Sequence, residues 1–210
     1  ATEEYNGTAW TAKNNMITAR QLLGGAGDVD SALAIGGFST TPTVATYANT
    51  EEYNGTSWSA GGSLITGRFK ISATGAQNAA LAFGGQNPGY LNLTEEYNGS
   101  SWSTGGAMSQ AAAGRGRAGI QDAALAFGGY PTSKKAVEQY DGTAWSTITD
   151  SPNDVRTGSG GGKIDGAFIF GTFNDQTGTC LVVTTGAEIC TNTYKCSLPA
   201  IQAWTAGGNL

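Results

Sequence analysis

Histidine is absent from the 210-residue chain, and that absence removes the commonest catalytic designs. No Ser-His-Asp triad or Cys-His pair can be assembled, and no imidazole is available to ligate a metal. Charge is scarce as well: Lys, Arg, Asp and Glu make up 13% of the residues, about half the usual share. The 11 basic residues are outnumbered by 16 acidic ones, giving a net charge of −5. The electrostatic drive for binding nucleic acid or an anionic membrane surface is therefore lacking. No apolar run approaches the ~18 residues of a membrane-spanning helix, and the opening ATEEYNG has neither the basic nor the apolar region of a secretory leader. Cysteine is confined to Cys180, Cys190 and Cys196, an odd number that allows at most one internal disulfide. Their spacings of 10 and 6 contain no C-x-x-C pair, so a disulfide clipping this segment is a better expectation than zinc.

What the chain does have is glycine, 33 residues of it, and a repeat. TEEYNGTAW at 2–10 returns as TEEYNGTSW at 50–58, TEEYNGSSW at 94–102 and VEQYDGTAW at 137–145. Each closing Trp is followed by a glycine at a fixed distance of 26 residues: Trp10 to Gly36, Trp58 to Gly84, Trp102 to Gly128 and Trp145 to Gly171. These blocks align without a gap and end in SALAIGG, AALAFGG, AALAFGG and GAFIFGT. The return from Gly to the next Trp takes 22, 18, 17 and 33 residues, so all the length variation lies there. A self-similar period of this size marks one supersecondary unit written several times.

Within each unit the pattern predicts four strands. The first follows the Trp. The second is the AALAF type, in which small Ala alternates with Leu or Phe, the period of a strand whose two faces meet neighbours of different bulk. The third runs into EEY and the fourth through the next Trp. Asp30, Asn78, Asp122 and Asp165 mark hairpin turns before the second strand. The Asn-Gly of EYNG predicts a type I′ turn between the third and fourth, which would set Glu51 across from Trp58. Leu33, Ile35, Leu81, Phe83, Leu125, Phe127, Phe168 and Phe170 are the expected core.

A four-stranded meander of this period, with a Gly-Gly doublet and then a spaced Tyr and Trp, resembles the kelch repeat. The motif is carried by Gly36-Gly37, Gly84-Gly85 and Gly128-Gly129, by Tyr53, Tyr97 and Tyr140, and by Trp58, Trp102 and Trp145. It covers about residues 1–172 in strand blocks 1–10, 11–58, 59–102, 103–145 and 146–172; residues 173–210 are expected as an irregular C-terminal extension or as the last outer strands. The fourth unit departs from the motif, with Thr172 for the second Gly and EICTNTYK where EQYDGTAW would fall. The resemblance implies an all-β propeller of four or five four-stranded antiparallel blades. The N-terminal strands are expected to close it by completing the last blade; alternatively residues 181–204 supply that blade's outer strands and the hairpin at 2–10 belongs to a fifth. The chain starts without Met and inside a repeat, as expected of processing or of an excerpt from a longer polypeptide.

Other motifs have structural explanations. Neighbouring carboxylates such as Glu51-Glu52 point to opposite faces of a strand and cannot flank one substrate atom. The sequons at Asn6, Asn54 and Asn98 are the turn itself, and Asp141 replaces Asn without breaking the element; Asn92 starts a fourth sequon. Asp30, Asn78, Asp122 and Asp165 stand one per unit, too dispersed for a calcium ion. No metal or cofactor is expected. The copper-radical oxidase chemistry known on kelch blades would also lack its His ligands here, so no enzyme is expected.

More narrowly, the wording TEEYNGTSW…GG…AALAFGG is similar to kelch-like arrays in structural proteins of tailed, especially marine, phages. That similarity implies a virion component of the tail, fibre or decoration class, meeting other virion or surface proteins or a host glycan within a larger assembly. The other class consistent with these features is an extracellular carbohydrate-binding or adhesion module of cellular origin. The expected location is the virion or the cell exterior, with no nucleic-acid or membrane partner. In a meander, the first-to-second and third-to-fourth turns share one end of the unit, the turn end. The second-to-third loops and the connections between units share the other, the loop end. Variable loops on a rigid scaffold are where binding concentrates. The expected contact residues are Phe38, Tyr47, Tyr90, Tyr130, Lys134 and Lys135 on the loops, with Arg20 and Arg68 rising from the first strands near a central channel.

Overall fold

In a computed structural model, residues 1–131, 135–151, 154–155, 159–164, 166–170 and 180–184 are described, with 159, 168–170 and 180–184 described by backbone alone. Every regular element among them is a β-strand. A two-stranded hairpin, β1 (Thr2–Tyr5) and β2 (Trp10–Lys13), comes first. The first unit is β3 (Gly24–Asp28), β4 (Ser31–Ser39), β5 (Ala45–Tyr53) and β6 (Trp58–Ala60). The second is β7 (Ser72–Ala76), β8 (Ala79–Phe83), β9 (Thr94–Tyr97) and β10 (Trp102–Thr104). The third is β11 (Gly116–Ile120), β12 (Ala123–Phe127), β13 (Val137–Tyr140) and β14 (Trp145–Ile148). The fourth contributes β15 (Ser159–Lys163), β16 (Gly166–Phe170) and β17 (Cys180–Thr184). Each unit is an antiparallel meander with its strands in chain order, four-stranded in the first three units and three-stranded in the fourth.

The fourth unit differs from the expected closure. Beside β16 lies β17, with Cys180 opposite Phe170 and Thr184 opposite Gly166, while β1 and β2 form a separate sheet. The CLVVT run is rich in β-branched residues, which suit a strand, and it occupies the place that closure by the N-terminal hairpin would fill.

The alternation in the second strands becomes packing between units. The large side chains of one unit meet the alanines of the next: Leu33 and Ile35 lie in one cluster with Ala80 and Ala82, and Leu81 and Phe83 in another with Ala124 and Ala126. Leu125 and Phe127 continue the series against Ala167 and Val155. These six large residues are buried as expected; the side chains of Phe168 and Phe170 lie outside the described residues. Burying one such side chain stabilises by about 1.5–3 kcal/mol, and the Ala face is what lets the sheets approach. The first strands β3, β7, β11 and β15 pack successively on one another.

The glycine doublet is the backbone joint between units. Gly84 and Gly85 have φ of +63° and +107°, and the Gly85 N–H donates to the carbonyl of Ala112 in the next unit at 2.9 Å. A Cβ on Gly84 would stand 2.5 Å from that same carbonyl oxygen. Gly37 and Gly129 donate in the same way to Arg68 and Val155, at 2.9 and 2.7 Å.

The EYNG turn is not type I′. Tyr53 pairs with Trp58, and Glu51 pairs with Ala60 rather than Trp58, so the loop has four residues. Only Gly55 has positive φ, +84°, while Asn54 Oδ1 accepts the N–H groups of Thr56 and Ser57 at 3.0 and 2.9 Å. Asp141 Oδ1 makes the same two bonds, to Thr143 and Ala144 at 2.9 and 2.8 Å. An acceptor oxygen at that point is what the turn requires, which is why Asn and Asp interchange there.

Candidate loop-end binding surface

The paired carboxylates of the third strands have separate partners on opposite faces. Glu51 forms an ion pair with Arg20 at 2.9 Å, with both side chains buried, and accepts the backbone N–H groups of Ile17 and Thr18 at 2.7 and 3.1 Å. Glu95 does the same for Arg68, Ile65 and Thr66, and Glu138 binds Arg115 and the N–H of Ser109. Desolvation lowers the pKa of each arginine, and its glutamate opposes that shift. The other carboxylates face the next unit: Glu52 accepts from the Tyr97 hydroxyl at 2.5 Å, and Glu96 from the Tyr140 hydroxyl.

Arg20 and Arg68 are therefore not contact residues. Their side chains are fully buried, and Arg68 also donates to the carbonyls of Gly84, Thr66 and Ala82. The guanidinium groups fasten the approach to the first strand of a unit to its third strand, leaving no charge to offer a partner.

At the loop end, the residue after each glycine doublet bridges to the first-strand approach of its own unit: Phe38 to Gln21, Gln86 to Phe69 and Tyr130 to Ala113. These bridges place aromatic rings along the rim. Phe38 of the first unit packs on Phe69 of the second, with ring centroids 5.0 Å apart. The Lys70 ammonium lies 5.7 Å from the Phe69 centroid and donates to Gln86 Oε1 at 3.4 Å. Gln86 bridges in turn to Tyr90, whose ring meets Tyr130 of the third unit edge-on at 5.4 Å. Desolvation first, and the Tyr130 hydroxyl second, raise the pKa of Tyr90. The result is an aromatic arc across three units with one exposed ammonium and the 44%-exposed Tyr130 on its surface.

Of the expected contact residues, the arc contains Phe38, Tyr90 and Tyr130. Lys135 is exposed nearby in sequence, and Lys134 lies outside the described residues. Tyr47 is not in a loop: β4 and β5 continue past a bulge between Ile35 and Gly37, so Tyr47 pairs with Gly37 inside the sheet. Phe69 and Lys70 were not foreseen. Their signal is positional, since they stand 11 and 12 residues after Trp58, as Gln21 and Leu22 do after Trp10.

Stacked aromatics with an adjacent cation suit a sugar ring or a neighbouring protein's apolar and acidic groups. Among the described residues no group of His, Cys, Asp and Glu is placed to hold a metal, and no helix is long and apolar enough to cross a membrane. No protein-family model matches the chain, and no curated protein matches it.

Proposed function

We propose that this chain is a non-enzymatic binding scaffold, a kelch-like propeller acting as a tail, fibre or decoration component of a phage virion. Its loop end engages a protein neighbour or a host-surface glycan. The aromatic arc from Phe38 through Phe69 to Tyr90 and Tyr130 is the observation that supports binding at that end. The virion assignment rests on the similarity of the repeat wording to phage arrays. Closure of the units into a ring, the N-terminal hairpin then belonging to a fifth blade, has two supports. The first strands of all four units line one cleft. On the leading hairpin, Tyr5 and Trp10 are 50% and 65% exposed, although the matching Tyr97 and Trp102 are covered by the preceding unit.

The test uses the native assembly. Electron microscopy at a resolution that traces the chain should find it particle-bound with the loop end turned toward its partner. In attachment assays, Tyr90→Ala with Tyr130→Ala should abolish binding, whereas altering the turn-end Asn98-Gly99 should leave it intact. The opposite result would assign the partner to the other end. The arc equally favours an extracellular carbohydrate-binding module of cellular origin. Neighbouring genes separate the two: tail and capsid genes support the virion, a cell-wall anchor the module.

A further inference from the structure

Arg20, Arg68 and Arg115 each have a glutamate partner. Arg117, in the middle of β11, has none: no carboxylate and no carbonyl lies within hydrogen-bonding distance of its guanidinium among the described residues. It is half-buried, and desolvation lowers its pKa. A cation in that position has given up part of its hydration without an anion to replace it, a cost that a ligand would relieve.

Its surroundings are shaped for one. Arg117 lines a cleft of about 540 Å³ formed by the first strands of all four units, within the size range of small-ligand sites. At the level of Arg117 the other three first strands carry Gly25, Ala73 and Gly160, each fixed by its pairing with the second strand. Of these, Gly160 lines the cleft together with Arg117. The walls beyond are largely glycine, including Gly75, Gly119 and Gly162, so a ligand can approach bare backbone. Asp28 is the acidic residue of the lining, and it is not paired with Arg117. The cleft lies where the first strands run into the turns, at the end of the units opposite the aromatic arc.

We propose that this cleft is a second binding site, taking an oxyanion, carboxylate or sulfate, on a ligand of about monosaccharide size. The planar guanidinium fork matches two oxygens of such a group, and its partial desolvation strengthens the contact relative to an exposed arginine. The site is independent of the loop-end surface and of the virion assignment.

The experiment is calorimetric titration of the full chain with glucuronate, inorganic sulfate and neutral glucose. Glucuronate should bind and glucose should not; sulfate binding alongside glucuronate would identify the oxyanion itself as the recognised group, and its failure would identify the carboxylate sugar. Arg117→Gln should weaken glucuronate by at least about tenfold, the loss expected for one charge-assisted contact. Lys13→Gln, on the leading hairpin and outside both surfaces, should leave it unchanged. Asp28→Asn should tighten binding severalfold, an arm that stands even if Arg117→Gln unfolds. Equal binding of glucose, no glucuronate binding by the wild type, or retained affinity in folded Arg117→Gln would overturn the assignment.

Discussion

The Tyr97 hydroxyl donates to Glu52 Oε1 at 2.5 Å, from the third strand of one unit to the third strand of the unit before it. The bond needs an empty position beside it, and Gly61 supplies that space: a Cβ there would stand 2.8 Å from the Tyr97 hydroxyl and 3.0 Å from Glu52 Oε1. Gly105 does the same for Tyr140 and Glu96. In the leading hairpin the matching position is Lys13, paired opposite Thr2 as Gly61 bonds back to Thr50. Lys13 takes Glu4 into an ion pair at 3.1 Å, and the buried Tyr53 hydroxyl is left without a partner. Gly61→Ala should therefore destabilise by about 1–3 kcal/mol, the range for a buried hydrogen bond broken on one side. Lys13→Ala should leave the urea midpoint nearly unchanged. Equal losses in the two variants would contradict this account.

The same bond predicts an alkaline limit. Desolvation first, and the hydrogen bond to Glu52 second, raise the Tyr97 pKa to about 12, above the ordinary value near 10. Between those values the unfolded chain has lost the phenolic proton that the folded chain retains. The contribution is complete below pH ~10 and falls as pH rises toward 12. Tyr97→Phe should flatten that part of the stability profile while lowering stability at neutral pH. Thermal melts at stepped pH would show it, and an unchanged alkaline slope would count against Tyr97 as the group responsible.

Removing Arg68 alone strands the Glu95 carboxylate in the interior, so Arg68→Met should cost about 3–5 kcal/mol. Arg68→Met combined with Glu95→Leu should cost clearly less than the two single losses added together. In the fourth unit an apolar residue, Leu181, occupies the glutamate's register beside β16. A double-mutant cycle in guanidinium chloride measures the coupling. Strict additivity would exclude the pair as one unit.

Two glycine positions should separate backbone conformation from close approach. Gly7 has φ of +93° with nothing within 4 Å of a built Cβ, while Gly84 has φ of +63° and a carbonyl oxygen at 2.5 Å. Gly7→Ala should cost about 1 kcal/mol, from the left-handed backbone alone. Gly84→Ala should cost that and more, because either the chain must open or the Gly85 to Ala112 bond must be given up. Chemical denaturation ranks them, and a larger loss for Gly7 would reverse the reading of the doublet.

The second strands were legible because alternation of Ala with Leu or Phe records both faces of a strand in consecutive letters, and the buried Leu81 and Phe83 follow from it. The unit count per sheet was legible because Trp and Gly keep their distance. The arginines were misread because their partners are remote: Arg68 reaches Glu95 across 27 residues, and a lone Arg at a strand start shows nothing of that. Tyr47 was displaced by a bulge that lengthens β4 and β5, which no local pattern announces. Phe69 and Lys70 were hidden because their importance comes from rings contributed by other units. Lys70 also holds φ of +53°, a conformation usually left to glycine, and Gly114 occupies it in the third unit.

Three Trp indoles reach back to a hydroxyl in the preceding sheet: Trp58 to Thr2, Trp102 to Thr50 and Trp145 to Thr94, all at 2.8–2.9 Å. Every such unit thus carries a donor on one side and the matching acceptor on the other, like identical couplings on railway wagons. A gene duplication that inserts one more unit between two of these leaves no coupling unmatched, and a deletion of one rejoins its neighbours correctly. These couplings therefore let whole units be gained or lost as matched pieces, whereas a change inside a coupling demands a second change in the adjacent unit.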